Sequence, residues 1–188
     1  MSAGISREQA LSLLREHIRN PNMVKHCLAS EAVLGALAEH LSEDREKWSM
    51  AGLLHDLDVE VTNADLNIHG TETVRILRKH GVDPEIIEAI GLHNEKSAGR
   101  RRSTRFHHAL AAGETVTGLI IATALVYPDK RLAGVKPKSI LKRMKEKAFA
   151  ASVDRDIIRE CERIPIPLAE FADICLRAMQ SIHEDLDL

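Results

Sequence analysis

The stretch AGLLHDLDVE, residues 51–60, carries an apolar helix face straight into a histidine and an aspartate. A buried carboxylate or imidazole without a partner costs several kcal/mol, or shifts its pKa until it is neutral. Any fold this chain adopts must therefore bring polar groups from other elements to His55 and Asp56.

The elements are helices. With 188 residues the chain is long enough for one domain with a core of its own. Aromatic residues are 3% of it, so the core is aliphatic and alanine-rich, which disfavours sandwiches and barrels. Ser6 and Gln9 form a Ser-x-x-Gln capping pattern at the start of a first helix, and Asn20-Pro21 ends it and opens a second. Met23, Val24, Cys27, Leu28, Leu34, Leu37 and Leu41 recur near a 3.6 period, predicting a helix over 21–41. Ser42 is the expected N-cap of a third helix running to His55-Asp56, and residues 58–67 are polar and irregular. A fourth helix follows His69 and stops before Gly81, and Asp83-Pro84 opens a fifth that reaches His93. The basic loop NEKSAGRRRST leads into a long helix over 104–126, and further helices are expected at 138–148, 154–163 and 167–186. The sequence predicts an all-α, compact single-domain bundle over 1–188. Its core lies at about 20–127, with C-terminal helices at about 138–186 packed on it.

Several classes are disfavoured. The longest apolar run, TGLIIATALVY, falls short of the roughly 20 residues of a membrane span. MSAGISREQA has neither a basic start nor an apolar stretch, so no signal peptide is expected. Cys27, Cys161 and Cys175 are scattered and odd in number, which suggests a reducing, cytoplasmic setting. No Gly-rich phosphate loop is present, which disfavours ATP-driven chemistry. The net charge of −2 hides an asymmetry: residues 96–147 hold 13 Lys/Arg against 3 Asp/Glu. Such a segment suits an anion-facing surface or a solvated helix face.

The ten histidines fall into two groups. His17, His40, His80 and His183 stand near helix C-termini among charged neighbours, where the helix dipole favours them and solvent reaches them. His26, His55, His69, His93, His107 and His108 stand on, or at the ends of, separate apolar helices. A divalent metal is the simplest group that compensates several such histidines and their carboxylates. Mixed imidazole and carboxylate donors suit Fe, Mn, Co, Ni or Zn, with Mg weaker. No CxxC or HExxH spacing marks a zinc finger or zincin.

The order His26, then His55-Asp56, then a late acid resembles the HD-domain superfamily of metal-dependent phosphohydrolases. The stretches KHCLASEAVLGALAEHL, GLLHDLDVE, HGTE, IGLHNE and ETVTGLIIATALVYPDK look like its bacterial HDIG-type subfamily, over about 20–188. The resemblance implies one or two divalent ions, with His26, His55 and Asp56 at the first three metal positions. It implies Glu114 at a fourth, where the family usually has aspartate, and His69 and His93 at a second metal bridged by Asp56. Asp58 stands where the HDIG glycine is usual, and is either a partner behind the metal ligands or an exposed loop residue. His107 and His108 have no counterpart in the pattern. They are open as further ligands, phosphate contacts or surface residues.

The implied activity is hydrolysis of a phosphate monoester, nucleotide or phosphodiester. Asp56 is the expected catalytic residue, holding the attacking water. Lys25, Arg100, Arg101, Arg102 and Arg105 are candidate donors to phosphate oxygens, with Arg155 a weaker one. The basic loop 96–105 is expected to face the mouth of the metal site. Two rival readings stay open at this point. One is a di-iron oxygenase on the HD scaffold, and the other a non-catalytic nucleotide- or RNA-sensing module. The expected partner is a small phosphorylated substrate; no membrane is expected, and the scarcity of aromatic stacking platforms disfavours single-stranded nucleic acid.

Overall fold

The computed structural model describes residues 2–188. These residues form an all-α fold with no strand among them. Helix α1 (Arg7–His17) opens on the Ser6/Gln9 capping box, and α2 (Pro21–Leu41) opens on Asn20, whose side chain accepts the Asn22 N–H. Helix α3 (Arg45–Leu54) starts two residues later than the sequence suggests. Ser42 closes α2 in a left-handed conformation (φ 57°), and Asp44 caps α3 by accepting the Lys47 N–H. Then come α4 (Thr71–Lys79), α5 (Pro84–His93), the short α6 (Glu95–Ala98) inside the basic loop, and α7 (Arg105–Leu125).

The C-terminal third is more broken than the periodicity predicts. Helix α8 (Pro137–Lys145) ends where Glu146 leaves helical geometry. The helix expected over 154–163 is one turn, α9 (Arg155–Ile158), followed by a 3-10 segment, Arg159–Arg163. The last expected helix splits at Ile182 into α10 (Leu168–Ser181) and α11 (His183–Leu186).

Helix α7 is the axis of the fold. By length and composition it is apolar enough to cross a membrane, but most of it is buried against α2, α5, α3, α9 and α8, as befits a core helix. Two glycines set how closely the helices approach. A Cβ on Gly52 of α3 would lie 2.4 Å from the Ser30 carbonyl oxygen of α2, and one on Gly113 of α7 would lie 2.8 Å from Leu34 of α2. At Gly52 only glycine lets the two backbones cross this tightly, while at Gly113 the missing side chain makes room for the Leu34, Leu37 and Val33 side chains. The first contact sits one turn before His55 and one turn after His26. The second sits beside Glu114. The two crossings thus bring three polar side chains from three helices to one point. Around them the core is aliphatic, as the composition predicts: leucine, isoleucine, valine and alanine dominate, and α10 closes it against α2 and α7.

Candidate metal centre

Six of the sequence-selected residues meet in one cluster. His26 on α2, His55 at the end of α3 and Glu114 on α7 offer donor atoms within 4.8 Å of one another, and Asp56, His69 and His93 form an adjoining group with the same spacing. Asp56 stands between the groups. Its Oδ2 lies 3.6 Å from His26 Nε2, and its Oδ1 lies 3.3, 3.1 and 3.6 Å from the Nε2 atoms of His55, His69 and His93.

What lies behind the rings fixes what they present. His55 Nδ1 is 2.9 Å from the Gly52 carbonyl, and His93 Nδ1 is 2.5 Å from that of Ile90. A carbonyl only accepts, so both Nδ1 atoms carry the proton and both Nε2 atoms point a lone pair into the cluster. His26 Nδ1 lies 2.9 Å from Thr117 Oγ1, whose own hydrogen goes to the Glu114 carbonyl. Thr117 must therefore accept from His26, giving the same tautomer. The Nε2 atoms of His26 and His55 are 3.1 Å apart, and when both rings are neutral two lone pairs face each other there with no hydrogen between them.

That arrangement fits a cation. Donors about 2.1 Å from one ion at near-tetrahedral or octahedral angles stand about 3.0–3.4 Å apart. Here the Nε2 atoms of His69 and His93 are 2.9 Å apart, those of His26 and His55 3.1 Å, and His26 Nε2 lies 3.8 Å from a Glu114 oxygen, with the donors of each group all within 4.8 Å. The donor set, four imidazoles and two carboxylates, is that of a first-row transition ion.

The electrostatics of the metal-free cluster agree. Burial, then the neighbouring His55, pushes His26 and His93 down to about 4, so both are neutral at pH 7. Burial would raise Asp56, but His55, His69 and His26 outweigh it and hold the carboxyl well below its usual range. Burial would lower His69, but Asp56 and Asp58 raise it to about 10. Burial raises Glu114 to about 8, against the Thr115 hydroxyl that hydrogen-bonds it. Protons on His69 and Glu114 thus occupy places that an ion would take.

Asp58, left open by the sequence, is fully buried behind His69. It accepts the backbone N–H groups of Gly70, Glu72 and Thr73, closing the start of α4, which has no side-chain cap of its own.

The remaining candidates stand elsewhere. His107 is the closing member of the α7 capping box, its Nδ1 accepting from Ser103 and Thr104. His108 Nδ1 is 2.6 Å from Glu160, and neither histidine belongs to the two donor groups. Lys25 pairs with Asp187 at 2.6 Å, Arg100 with Glu88 at 2.8 Å and Arg105 with Glu43 at 3.4 Å. Arg102 is turned inward onto Glu160, and Arg101 is exposed. The Arg155 guanidinium holds the carbonyls of Phe149, Ala150 and Val153. Thr117 and Glu160 were not singled out by sequence reasoning. Thr117 sits three residues after Glu114, the one local signal; Glu160 lies 52 residues from His108 with none.

The family model of the HD domain matches residues 23–132, a stretch that holds all six donors, and the chain belongs to the HD-domain family. Members of this family are generally metal-dependent phosphohydrolases and bind divalent ions. Among curated proteins the chain is similar to ribonuclease Y of Nitratidesulfovibrio vulgaris strain DP4, 35% identical over 74 residues. That match covers 39% of this chain and 14% of the relative. Ribonuclease Y of Mycoplasma mycoides matches at 35% over 74 residues, 39% of this chain and 18% of the relative, and that of Geobacter sulfurreducens at 32%, 39% and 14%. The chain spans less than a fifth of the length of these relatives. No solved structure matches it.

Proposed function

We propose that this chain is a two-metal phosphohydrolase. The observation that carries the reading is the set of three imidazoles locked by Thr117, Gly52 and Ile90 so that their lone pairs converge on a shared carboxylate. His26, His55 and Glu114 would hold one ion, His69 and His93 the other, and Asp56 would reach both. Ions bound there supply Lewis-acid activation of water and neutralise charge on a phosphoryl oxygen.

The chain's own residues set the approach. The His26 and Glu114 side chains, at 18% and 17% exposure, are the most open of the cluster, against 1–9% for the other four. Substrate therefore enters on the α2/α7 side, where Asp56 Oδ2 points and can orient a water. Lys25, next to His26 in sequence, is the candidate donor to phosphate, since its bridge to the exposed Asp187 is of the surface kind, worth little, and easily exchanged for a phosphate oxygen.

The ribonuclease names of the relatives support a phosphodiester, RNA included, over a monoester. The three buried, unpaired thiols support a reducing, cytoplasmic setting.

The test is hydrolysis of bis-p-nitrophenyl phosphate, p-nitrophenyl phosphate, nucleotides and a short RNA with Mn, Fe, Co, Ni and Zn in turn. Wild type should turn over at least one ester, and Asp56→Ala none. A wild type inert throughout would contradict the reading, and salt-sensitive RNA binding without turnover would put a sensing module in its place.

A further inference from the structure

We infer that Arg102, clamped by Glu160, is a positioning residue for His93 and so for the second metal, rather than a donor to phosphate. The inference rests on the two-metal reading above.

The Arg102 side chain is 5% exposed although its loop is largely in solvent. Its Nη1 donates to the carbonyls of Leu92 and His93, both at 3.0 Å. Its Nε and Nη2 donate to the two carboxylate oxygens of Glu160 at 2.8 and 2.7 Å, a bidentate pair. Four of the five guanidinium hydrogens are thereby used, which leaves little for a phosphate. Glu160 also takes His108 Nδ1, and the Arg102 backbone N–H is held by Glu95 at 2.7 Å. The guanidinium thus ties the end of α5 to the 3-10 segment 159–163, and Glu160 extends the link to His108 at the start of α7.

What it holds is specific. Leu92 and His93 are the last two residues of α5, and terminal helix carbonyls have no partner within the helix. Asn94, which follows, is extended, so α5 ends without the usual terminal turn. Arg102 supplies both the missing donors and a positive charge at the C-terminal end, where the helix dipole favours it. His93 is anchored to this same turn through its Nδ1 contact with Ile90. The direction of its Nε2, 2.9 Å from that of His69, therefore follows the position of the turn.

The experiment is titration of metal-free wild type, Arg102→Lys, Glu160→Gln and the double variant with Co2+, followed by visible absorption and by equilibrium dialysis. Circular dichroism in parallel establishes that each variant is folded. Wild type should bind two equivalents. Each single variant should keep the first and bind the second roughly 10–100-fold more weakly, with a changed Co2+ spectrum, the size expected when a group behind a metal ligand is lost. The double variant should be little worse than either single, since the two residues act as one unit. Variants that lose thermal stability yet bind both equivalents as wild type does would overturn the inference. So would unchanged Co2+ binding with weakened inhibition by inorganic phosphate, which would return Arg102 to substrate binding. A wild type that binds no second equivalent would bring down the two-metal reading and this inference together; a second equivalent bound with wild-type affinity in every variant would remove this inference alone.

Discussion

The Asp58 carboxylate lies 2.8 Å from His69 Nδ1 while accepting three backbone N–H groups at the start of α4. One buried side chain thus caps a helix and backs the His69 imidazole of the proposed second metal position. The Asp58→Asn variant keeps the shape and loses the charge. It should cost about 1–2 kcal/mol, the size of a lost cap, and weaken the second metal about 10–100-fold. Chemical denaturation and metal titration measure the two effects separately. A stability loss with unchanged metal affinity would show that the cap is the whole of its role.

Thr117 accepts the His26 Nδ1–H and so fixes which nitrogen faces the centre. Thr117→Val leaves that N–H unpartnered and should cost about 1–3 kcal/mol, with weaker binding of the first ion and little change at the second. Thr117→Ser restores the acceptor and should recover both. Equal behaviour of Val and Ser would contradict the assignment.

Gly52→Ala places a methyl 2.4 Å from the Ser30 carbonyl. Overpacking of this kind typically costs about 1–3 kcal/mol, and here it pushes α3 away from α2 and carries His55 with it. A lower melting temperature together with lost first-site binding is the expected outcome, checked by thermal denaturation and dialysis. Gly81→Ala is the comparison: its Cβ would meet nothing, and its φ of 70° makes it cost backbone strain alone, without metal loss.

The protons on His69 and Glu114 give the metal-free protein a characteristic pH dependence. His69, raised to about 10, contributes stability that is complete below its ordinary 6.5 and is lost as pH rises through 10. Glu114, raised to about 8, favours its protonated form in the fold, so stability falls between its ordinary 4.5 and 8. His26 and His93, lowered to about 4, act oppositely: stability is lost as pH falls from 6.5 to 4. Two histidines outweigh one carboxyl below about pH 6.5, and above it His69 and Glu114 act together. The metal-free melting temperature should therefore peak near about pH 6.5. Each ion must expel one proton, from Glu114 at the first position and from His69 at the second, so each apparent affinity should rise by up to about tenfold per pH unit between pH 6 and 7.5. Affinity that is flat across that range would mean these groups are not ligands.

The elements of the site were legible because each donor sits on, or at the end of, a strongly patterned helix. The apolar period of 21–41 places His26 inward, and Asp83-Pro84 marks the start of the helix that ends at His93. Ser42 misled because serine and aspartate are both good caps, and only the chain's left-handed turn at Ser42 hands the role to Asp44. The partners of the basic loop were not legible. Arg100 and Arg102 read alike as surface cations, yet Arg102 faces Glu160 across a separation of 58 residues that no local pattern encodes. The same holds for Asp58, whose burial depends on α4 folding back over it.

The most direct test of the two-metal centre is a count of ions per chain at saturation, by elemental analysis after equilibrium dialysis against Mn2+ or Co2+. Wild type should hold two, and the double variant His69→Ala/His93→Ala should hold one while staying folded. A wild type that never exceeds one ion per chain, or a double variant that still holds two, would contradict the account.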